Sequence, residues 1–149
     1  MLYEYNLIRK KVSDDDVQPI RNAINVVDYA FKYLFEEEEM WREKCWAVFL
    51  NGGNIPTGHY LVSVGCSDRC NIDKKNITEA AILSHSVGVV LVHNHPDGNP
   101  APSQADILQT ENLKKCISVF DIHLLDHVVI GDGHYFSFTE NVAKPFKRY

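Results

Sequence analysis

No apolar run in this 149-residue sequence approaches the roughly 20 residues that a membrane-spanning helix requires. The N-terminal segment turns polar too soon to form the apolar centre of a secretory signal. Positive charge is also scarce, because 15 Lys and Arg against 20 Asp and Glu give a formal net charge of −5. We therefore expect a cytoplasmic protein with no membrane partner. A broad basic surface for non-specific nucleic-acid binding is not expected, unless folding assembles one.

Cysteine is equally sparse, with four residues in the whole chain. Cys66 and Cys70, in the segment CSDRC, could supply half of a zinc site, but no second ligand pair follows at the spacing of zinc fingers. Cys45 and Cys116 fall within apolar patterns, so both are expected to be buried as small hydrophobic side chains. The thiols are therefore predicted to be reduced and structural.

The remaining composition is that of an ordinary globular domain, with 45% hydrophobic and 23% charged residues and no internal repeat. We divide it into an N-terminal helical extension, residues 1–40, and a main domain, residues 41–149. Hydrophobic periodicity predicts three helices, at 17–40 after the acidic start SDDD, at 74–86 and at 103–120. In the last of these, Ile107, Leu113 and Ile117 are expected to face inward. Five strands are predicted between and after the helices, at 45–51 and 59–65 as a hairpin, and at 87–93, 121–131 and 134–138. This order predicts an α/β sandwich in which helices flank a single mixed β-sheet.

The segment HNHPDGNPAPSQAD, residues 93–106, combines metal-ligand types with a suitable spacing. His93 and His95 stand at the end of a predicted strand, where alternate side chains point to the same side and Asn94 points away. A proline- and glycine-rich turn then leads to a helix starting near Ser103, whose first turn carries Asp106. Two imidazoles, one carboxylate and a fourth position open to water are typical of catalytic zinc.

The same residues also have a purely structural interpretation. Ser103 followed by an acid three positions later is a helix-capping signature, and a lone His-x-His occurs at many strand ends. One carboxylate can lie at a helix N-terminus and bind a metal at once, so the two interpretations are compatible.

These residues carry a resemblance to a known family. HNHPDGNPAPSQAD matches the histidine-x-histidine, seven-residue gap, serine-x-x-aspartate pattern of the JAB/MPN metalloproteases, the JAMM motif. LVHNHPDGNPAPSQADILQTENL and LLDHVVIGDGHYFSF resemble the bacterial RadC branch, and the likeness covers about residues 40–140. RadC-type loops usually read HNHPSGDP, so Asp97 and Asn99 depart from the pattern at positions that are not expected ligands. The resemblance implies a RadC-like JAB/MPN metallohydrolase domain at 41–149, with the three-layer arrangement of cytidine deaminases.

The resemblance also implies roles for individual residues. The motif's histidines and aspartate are zinc ligands, which places Zn²⁺ on His93, His95 and Asp106. Its serine, here Ser103, is expected to hydrogen-bond the oxyanion formed when water attacks a carbonyl. The family has a catalytic glutamate just before a core strand, and Glu43 in REKCWAVFLN occupies the matching place, although glutamates 36–39 lie nearby.

Further histidines are interpreted in the same way. Asp126 and His127, in LLDHVV, match the RadC pattern, and one of the pair is expected to orient a metal ligand. The alternative is a histidine that only packs beside the sheet. The histidines without a usable partner spacing are expected on the surface or in packing: His59, His85, His123 and His134.

The predicted function is zinc-dependent hydrolysis of a peptide or isopeptide amide by metal-activated water, with a peptide or protein as substrate. Two other classes stay open, a non-catalytic binding or scaffold module and a DNA-repair-associated or nuclease role. Scaffold members of the wider family have lost metal ligands that this sequence retains. Longer RadC-type relatives carry a helix-hairpin-helix DNA-binding module, whereas only about forty residues precede Glu43 here. Nucleic acid is therefore a partner by family association alone.

Overall fold

The computed structural model describes residues 1–5, 8–35, 40–65 and 71–147. Its helices and strands follow in the order α1 (Ala23–Tyr33), β1 (Lys44–Leu50), β2 (Pro56–Val64), α2 (Lys74–Leu83), β3 (Gly88–Asn94), α3 (Gln104–Ser118), β4 (His123–Ile130), β5 (His134–Ser137) and β6 (Val142–Pro145). The strands form one sheet in the order β2-β1-β3-β4-β5-β6. β3 and β4 run parallel and the other neighbouring pairs run antiparallel. The predicted single mixed sheet and the β1–β2 hairpin are confirmed.

Helices cover both faces of this sheet because successive side chains of a strand point to opposite sides. On one face, α1 shares an apolar cluster with Val90 and Val92 of β3. On the other face, α2 and α3 share a second cluster with Val89 and Leu91. β3 is therefore buried along its whole length, as its continuous apolar sequence predicts. The result is a three-layer α/β fold with β3 at its centre.

The first helix begins later than predicted. The residue before Pro19 is biased away from helical conformation, and Asn22 then caps α1 by accepting a hydrogen bond from a first-turn backbone N–H at 3.1 Å. The acidic run at 13–16 lies outside the helix, so the start predicted at residue 17 was wrong.

The first helix also ends earlier than predicted, at Tyr33. The backbone N–H groups of Leu34 and Phe35 both donate to the Ala30 carbonyl, at 2.8 and 2.9 Å, and this shared acceptor closes the last turn. Residues 36–39, which belong to the predicted helix, lie outside the described part of the chain. The division of the chain at residue 40 stays a prediction.

The last strand, β6, was not predicted. All four of its residues are exposed, so no apolar alternation marks it in the sequence. It pairs antiparallel with β5 at the edge of the sheet. Lys144 and Pro145 are typical of an edge strand, where they discourage pairing with another chain.

The inward face of α3 consists of Asp106, Thr110, Leu113 and Ile117. Ile107, which the sequence places on this face, is instead 40% exposed. Steps of four, three and four residues define one side of a helix, but the first two members of this stripe are polar. The apolar pattern therefore misplaced the start of the buried face. The buried polar pair, Asp106 and Thr110, indicates a buried site beside the helix N-terminus.

The described cysteines differ in their surroundings. Cys45 is buried, as predicted, but Cys116 is only half-buried, with its Sγ 3.6 Å from Thr78 Oγ1. Cys66 and Cys70 lie outside the described residues. Among the residues that are described, none of the helices combines the length and apolar character needed to cross a membrane.

Candidate metal centre

The predicted histidine pair lies where β3 ends, between α3 and β4. His93 is fully buried and His95 half-buried, and their Nε2 atoms are 2.9 Å apart. The expectation that both rings point to one side is confirmed. The backbone N–H of His95 donates to the Ile130 carbonyl at 2.9 Å. This bond continues the β3–β4 pairing past the last residue of β3 and holds the backbone that carries the second ring.

Asn94, between the two histidines, points away from them, as predicted, and holds the segment before β1. Its Oδ1 accepts the Lys44 N–H at 2.8 Å, and its Nδ2 donates to the carbonyls of Met40 and Arg42 at 3.1 and 2.8 Å. Glu43 lies within this anchored segment. This role of Asn94 could not be predicted from the sequence, because its three partners lie about fifty residues earlier in the chain.

Asp106 adds a carboxylate to the histidine pair. Its Oδ2 lies 3.6 Å from His93 Nε2 and 3.4 Å from His95 Nε2. The capping interpretation is also confirmed, because Ser103 Oγ accepts the Asp106 N–H at 3.0 Å while Asp106 Oδ2 accepts the Ser103 N–H at 2.8 Å. The cap therefore holds the carboxylate toward the histidines.

Glu43 brings a second carboxylate close to the histidines. Its side chain is 9% exposed, and its Oε1 is 4.0 Å from His93 Nε2. Glu43, His93 and His95 offer three ligand atoms that all lie within 4.8 Å of one another. Ligands of a tetrahedral zinc ion lie about 3.3 Å apart, given Zn–N and Zn–O distances near 2.0 Å. The donor set therefore fits a small divalent cation, and the shorter distances to Asp106 favour that residue over Glu43 as the third ligand.

The hydrogen bonds behind the site determine which histidine nitrogens carry protons. Thr110 Oγ1 lies 2.5 Å from the Asp106 carbonyl, which can only accept, so the hydroxyl proton is used there. His127 Nδ1 must then donate to Thr110 Oγ1 at 2.7 Å, and its Nε2 must accept from His93 Nδ1 at 2.6 Å. The His93 Nε2 lone pair is left facing the site.

For His95, a single hydrogen bond determines which ring nitrogen carries the proton. Its Nδ1 lies 2.7 Å from the Asn99 carbonyl, so this nitrogen donates, and the neutral ring has its lone pair on Nε2. In their neutral forms both imidazoles thus present an Nε2 lone pair to one point, which is what metal coordination requires.

The charges around this point are strongly coupled. Burial favours protonation of Asp106, but hydrogen bonds with His93 and His95 outweigh it and hold the pKa of this carboxyl well below its usual range. Burial raises the pKa of Glu43, partly offset by the charges of the same histidines. The pKa of His95 is raised, because hydrogen bonding to Asp106 and Asn99 exceeds the opposing effect of burial. A metal ion would displace that proton on binding.

Of the pair Asp126 and His127, it is His127 that touches a predicted ligand. The ring is buried, stacks on Phe138 with centroids 4.7 Å apart, and has a pKa well below its usual value, chiefly because of burial. It therefore stays neutral, so that it can accept a hydrogen bond from His93 and donate one to Thr110. Thr110 was missed by sequence analysis, although its position four residues after Asp106 on the buried face is a usable signal.

Asp126 has a different place, within β4 and beside the turn that joins β5 to β6. Its Oδ1 accepts the backbone N–H groups of His127 and Thr139 at 2.8 and 3.0 Å, and its Oδ2 accepts the Ser137 hydroxyl at 2.6 Å. Burial raises the pKa of Asp126, against the effect of these hydrogen bonds. Its contacts are those of a residue that holds a turn. Another histidine, His59, packs away from the site against Tyr29, with 2.9 Å between Nδ1 and the hydroxyl.

Replacing His127 with phenylalanine is expected to weaken zinc binding by about 10- to 100-fold, because His93 then loses the acceptor that fixes its tautomer. The stacking position on Phe138 remains filled. Competition with a zinc-binding dye measures the affinity. Thr110→Val provides the graded control: it removes one hydrogen bond of the relay, so its loss should be smaller. Unchanged affinity in His127→Phe would contradict the relay.

Replacing Asp126 with alanine is expected to lower the free energy of unfolding by about 2 kcal/mol, because partly buried donors lose their acceptor. Asp126→Asn keeps an acceptor oxygen and should lose much less. Chemical denaturation measures both variants. Zinc affinity should be unchanged in either, and a loss comparable with that of His127→Phe would assign Asp126 to the metal centre instead of the turn.

The fold and the site together define an α/β protein with an open histidine–carboxylate cluster at the end of its central strand. The family model described as a RadC-like JAB domain matches residues 20–143, so the chain belongs to that family. Among its relatives, the UPF0758 protein of Staphylococcus carnosus is 36% identical over 113 residues, 76% of this chain and 50% of the relative. The UPF0758 protein of Methanococcoides burtonii is 35% identical over 128 residues, 86% of this chain and 55% of the relative.

A third relative, the UPF0758 protein of Thermotoga maritima, is 34% identical over 123 residues, 83% of this chain and 54% of the relative. This chain thus spans about half the length of the curated relatives that it matches. The relatives' names state a family and no activity. The membership therefore supports a domain type with a possible metal site, and the reaction has to be argued from the residues.

Proposed function

We propose that this chain is a zinc-dependent metallohydrolase that cleaves an amide bond, in a peptide or an isopeptide, of a cytoplasmic protein or peptide substrate. The observation that carries the proposal is the convergence of two histidine Nε2 atoms and the Asp106 carboxylate, with a buried second carboxylate, Glu43, 4.0 Å from His93 Nε2. Structural zinc sites usually use four protein ligands. Three ligands with a separate carboxylate beside them suit a catalytic site better.

His93, His95 and Asp106 would hold the ion, which supplies a positive charge that polarises a carbonyl group and lowers the pKa of a water molecule. Glu43 accepts a proton from the attacking water as the new C–O bond forms, and then delivers this proton to the leaving amine as the C–N bond breaks. Burial excludes competing water from the proton transfer.

Ser103 is assigned to the oxyanion. Its Oγ accepts the Asp106 N–H, so the lone pair is used by the cap and the hydroxyl proton is available as a donor. Donation to the developing negative charge on the attacked carbonyl oxygen would stabilise the transition state. The same cap orients Asp106, so one short sequence motif sets both groups.

The test compares zinc-loaded and metal-free protein on a proteome-derived peptide library, with new termini identified by mass spectrometry. Metal-dependent accumulation of termini at recurring sites is the expected result. If the zinc-loaded chain produces no more termini than the metal-free chain, and lysine isopeptides are also left intact, hydrolysis is rejected in favour of a binding module. Salt-sensitive binding of DNA by the same preparation would instead support a nucleic-acid role.

A further inference from the structure

A cavity of about 380 Å³ opens beside His95, and Trp41, Asp97 and Asp132 contribute to its walls. It borders a proposed zinc ligand, so a substrate whose scissile amide lies at the metal would place a neighbouring group in this space. Pockets beside a reacting centre commonly select the side chain next to the reacting bond.

The walls of this cavity are held rigidly. Gly98 has φ 84, a conformation that favours glycine, and its carbonyl accepts the Asp132 N–H at 2.8 Å. A Cβ added to Gly131 would lie only 2.2 Å from the Gly98 carbonyl oxygen. The loop after His95 and the β4–β5 turn therefore make close backbone contact, and this contact sets the separation of Asp97 and Asp132.

The polar character of the cavity is acidic. Asp97 and Asp132 are both exposed, and Asp97 Oδ1 accepts the Asn99 N–H at 3.0 Å. The negative charge of Asp97 also reaches Glu43, where it contributes to the raised pKa of that group. Asp97 is one of the two positions at which the loop departs from the usual RadC pattern.

Trp41 adds an aromatic surface to these charges. Its side chain is 66% exposed, which is unusual for a large apolar residue. The Arg42 guanidinium already lies 4.5 Å from the ring centroid, so the ring attracts cations in this position. An exposed indole beside two carboxylates is a combination that favours a positively charged ligand with an apolar stem.

We propose that Trp41, Asp97 and Asp132 form an acidic subsite that binds the lysine or arginine side chain of the substrate residue next to the scissile amide. The proposal rests on the metallohydrolase function proposed above. The aliphatic stem packs on the indole, and the cationic head lies between the carboxylates. A substrate with glutamate at that position is repelled by the same charges.

The test measures binding instead of turnover, because an amino-acid hydroxamate chelates an open zinc ion and places its side chain beside it. Lysine, norleucine and glutamate hydroxamates are titrated calorimetrically into the zinc-loaded full chain. Lysine hydroxamate is expected to bind about three- to fivefold more tightly than norleucine hydroxamate, the effect of one solvent-exposed ion pair. The preference should shrink as salt is raised.

Two variants locate the effect. In Asp97→Asn/Asp132→Asn the ratio of norleucine to lysine dissociation constants should fall to near one. In Asp28→Asn/Asp121→Asn, which removes the same charge from exposed positions elsewhere, the ratio should stay unchanged. Equal binding of lysine and norleucine hydroxamates, or a lysine preference that survives in the first variant, overturns the acidic subsite.

Failure of the subsite and failure of the proposed function give different results. If the three hydroxamates bind equally well, the metal centre stands and the subsite is rejected. If none of them binds the zinc-loaded chain, the open metal centre itself is rejected, and the subsite with it. A lysine preference without any peptide cleavage rejects hydrolysis, and with it the role of the subsite beside a scissile amide, and leaves a cation-binding pocket beside the metal.

Discussion

Replacing both His93 and His95 with alanine is expected to reduce bound zinc from about one ion per chain to less than about a tenth of one, because two of three protein ligands are removed. The remaining carboxylates, Asp106 and Glu43, prefer harder cations and cannot retain zinc through purification. Inductively coupled plasma mass spectrometry on untagged protein, purified without chelator and then supplied with zinc, gives the metal content.

The matched control replaces two exposed histidines at the other end of β3 from the site, as His85→Asn/His123→Ala; Asn suits the positive φ of His85. It should keep its zinc, which separates loss of the site from loss of histidine in general. His93 is fully buried, so its truncation leaves a cavity, and His95→Ala alone provides a variant with less effect on packing. Zinc retained in the double variant, or absent from the unmodified protein, would contradict the assignment.

The local parts of this centre could be predicted from the sequence because short-range geometry determines them. Alternation along a strand places His93 and His95 on one side, and helix periodicity places Asp106 one turn from the cap residue Ser103. Neither step needs knowledge of distant contacts. The structure agrees with both, with Nε2 atoms 2.9 Å apart and both bonds of the capping box formed.

The groups behind the ligands could not be placed in the same way. His127 reaches His93 across 34 residues of sequence, through the parallel pairing of β3 with β4. Asn94 reaches back more than fifty residues to hold the segment with Glu43. Such contacts depend on strand order and register, which hydrophobic periodicity does not encode. Thr110 could be predicted in part. Helix spacing places it one turn from Asp106, but its contact with His127 depends on the packing of α3 against β4.

The same distinction explains the errors in the fold. The order of the elements followed from periodicity, and strands with a buried face were found. β6 has no buried face, so nothing in its composition indicated a strand. The acidic run at 13–16 was mistaken for a helix start because charge preference is a weak signal beside the Asn22 cap and the constraint before Pro19.

Glu43→Gln is expected to keep zinc at about one ion per chain and to lower the rate of amide hydrolysis by about 10²- to 10⁴-fold, the usual contribution of a positioned general base. The change preserves the size of the side chain and its oxygen and removes only the basic carboxylate. Glu79→Gln, an exposed position on α2, is the matched control and should leave the rate unchanged. Rates are measured on the most rapidly cleaved peptide of the library.

The metal content of this variant decides whether Asp106 or Glu43 is the third protein ligand of the metal. Glu43 belongs to a trio with both histidines that could itself hold an ion, whereas Asp106 lies closer to their nitrogens, at 3.4 and 3.6 Å against 4.0 Å for Glu43. If Asp106 is the ligand, Asp106→Asn loses most of its zinc and Glu43→Gln does not. The reverse result would make Glu43 the ligand, and the base would have to be sought elsewhere. If Glu43→Gln keeps both its zinc and its rate of hydrolysis, Glu43 takes no part in the reaction. The buried carboxylate, 4.0 Å from His93 Nε2, would then serve only the packing of the site.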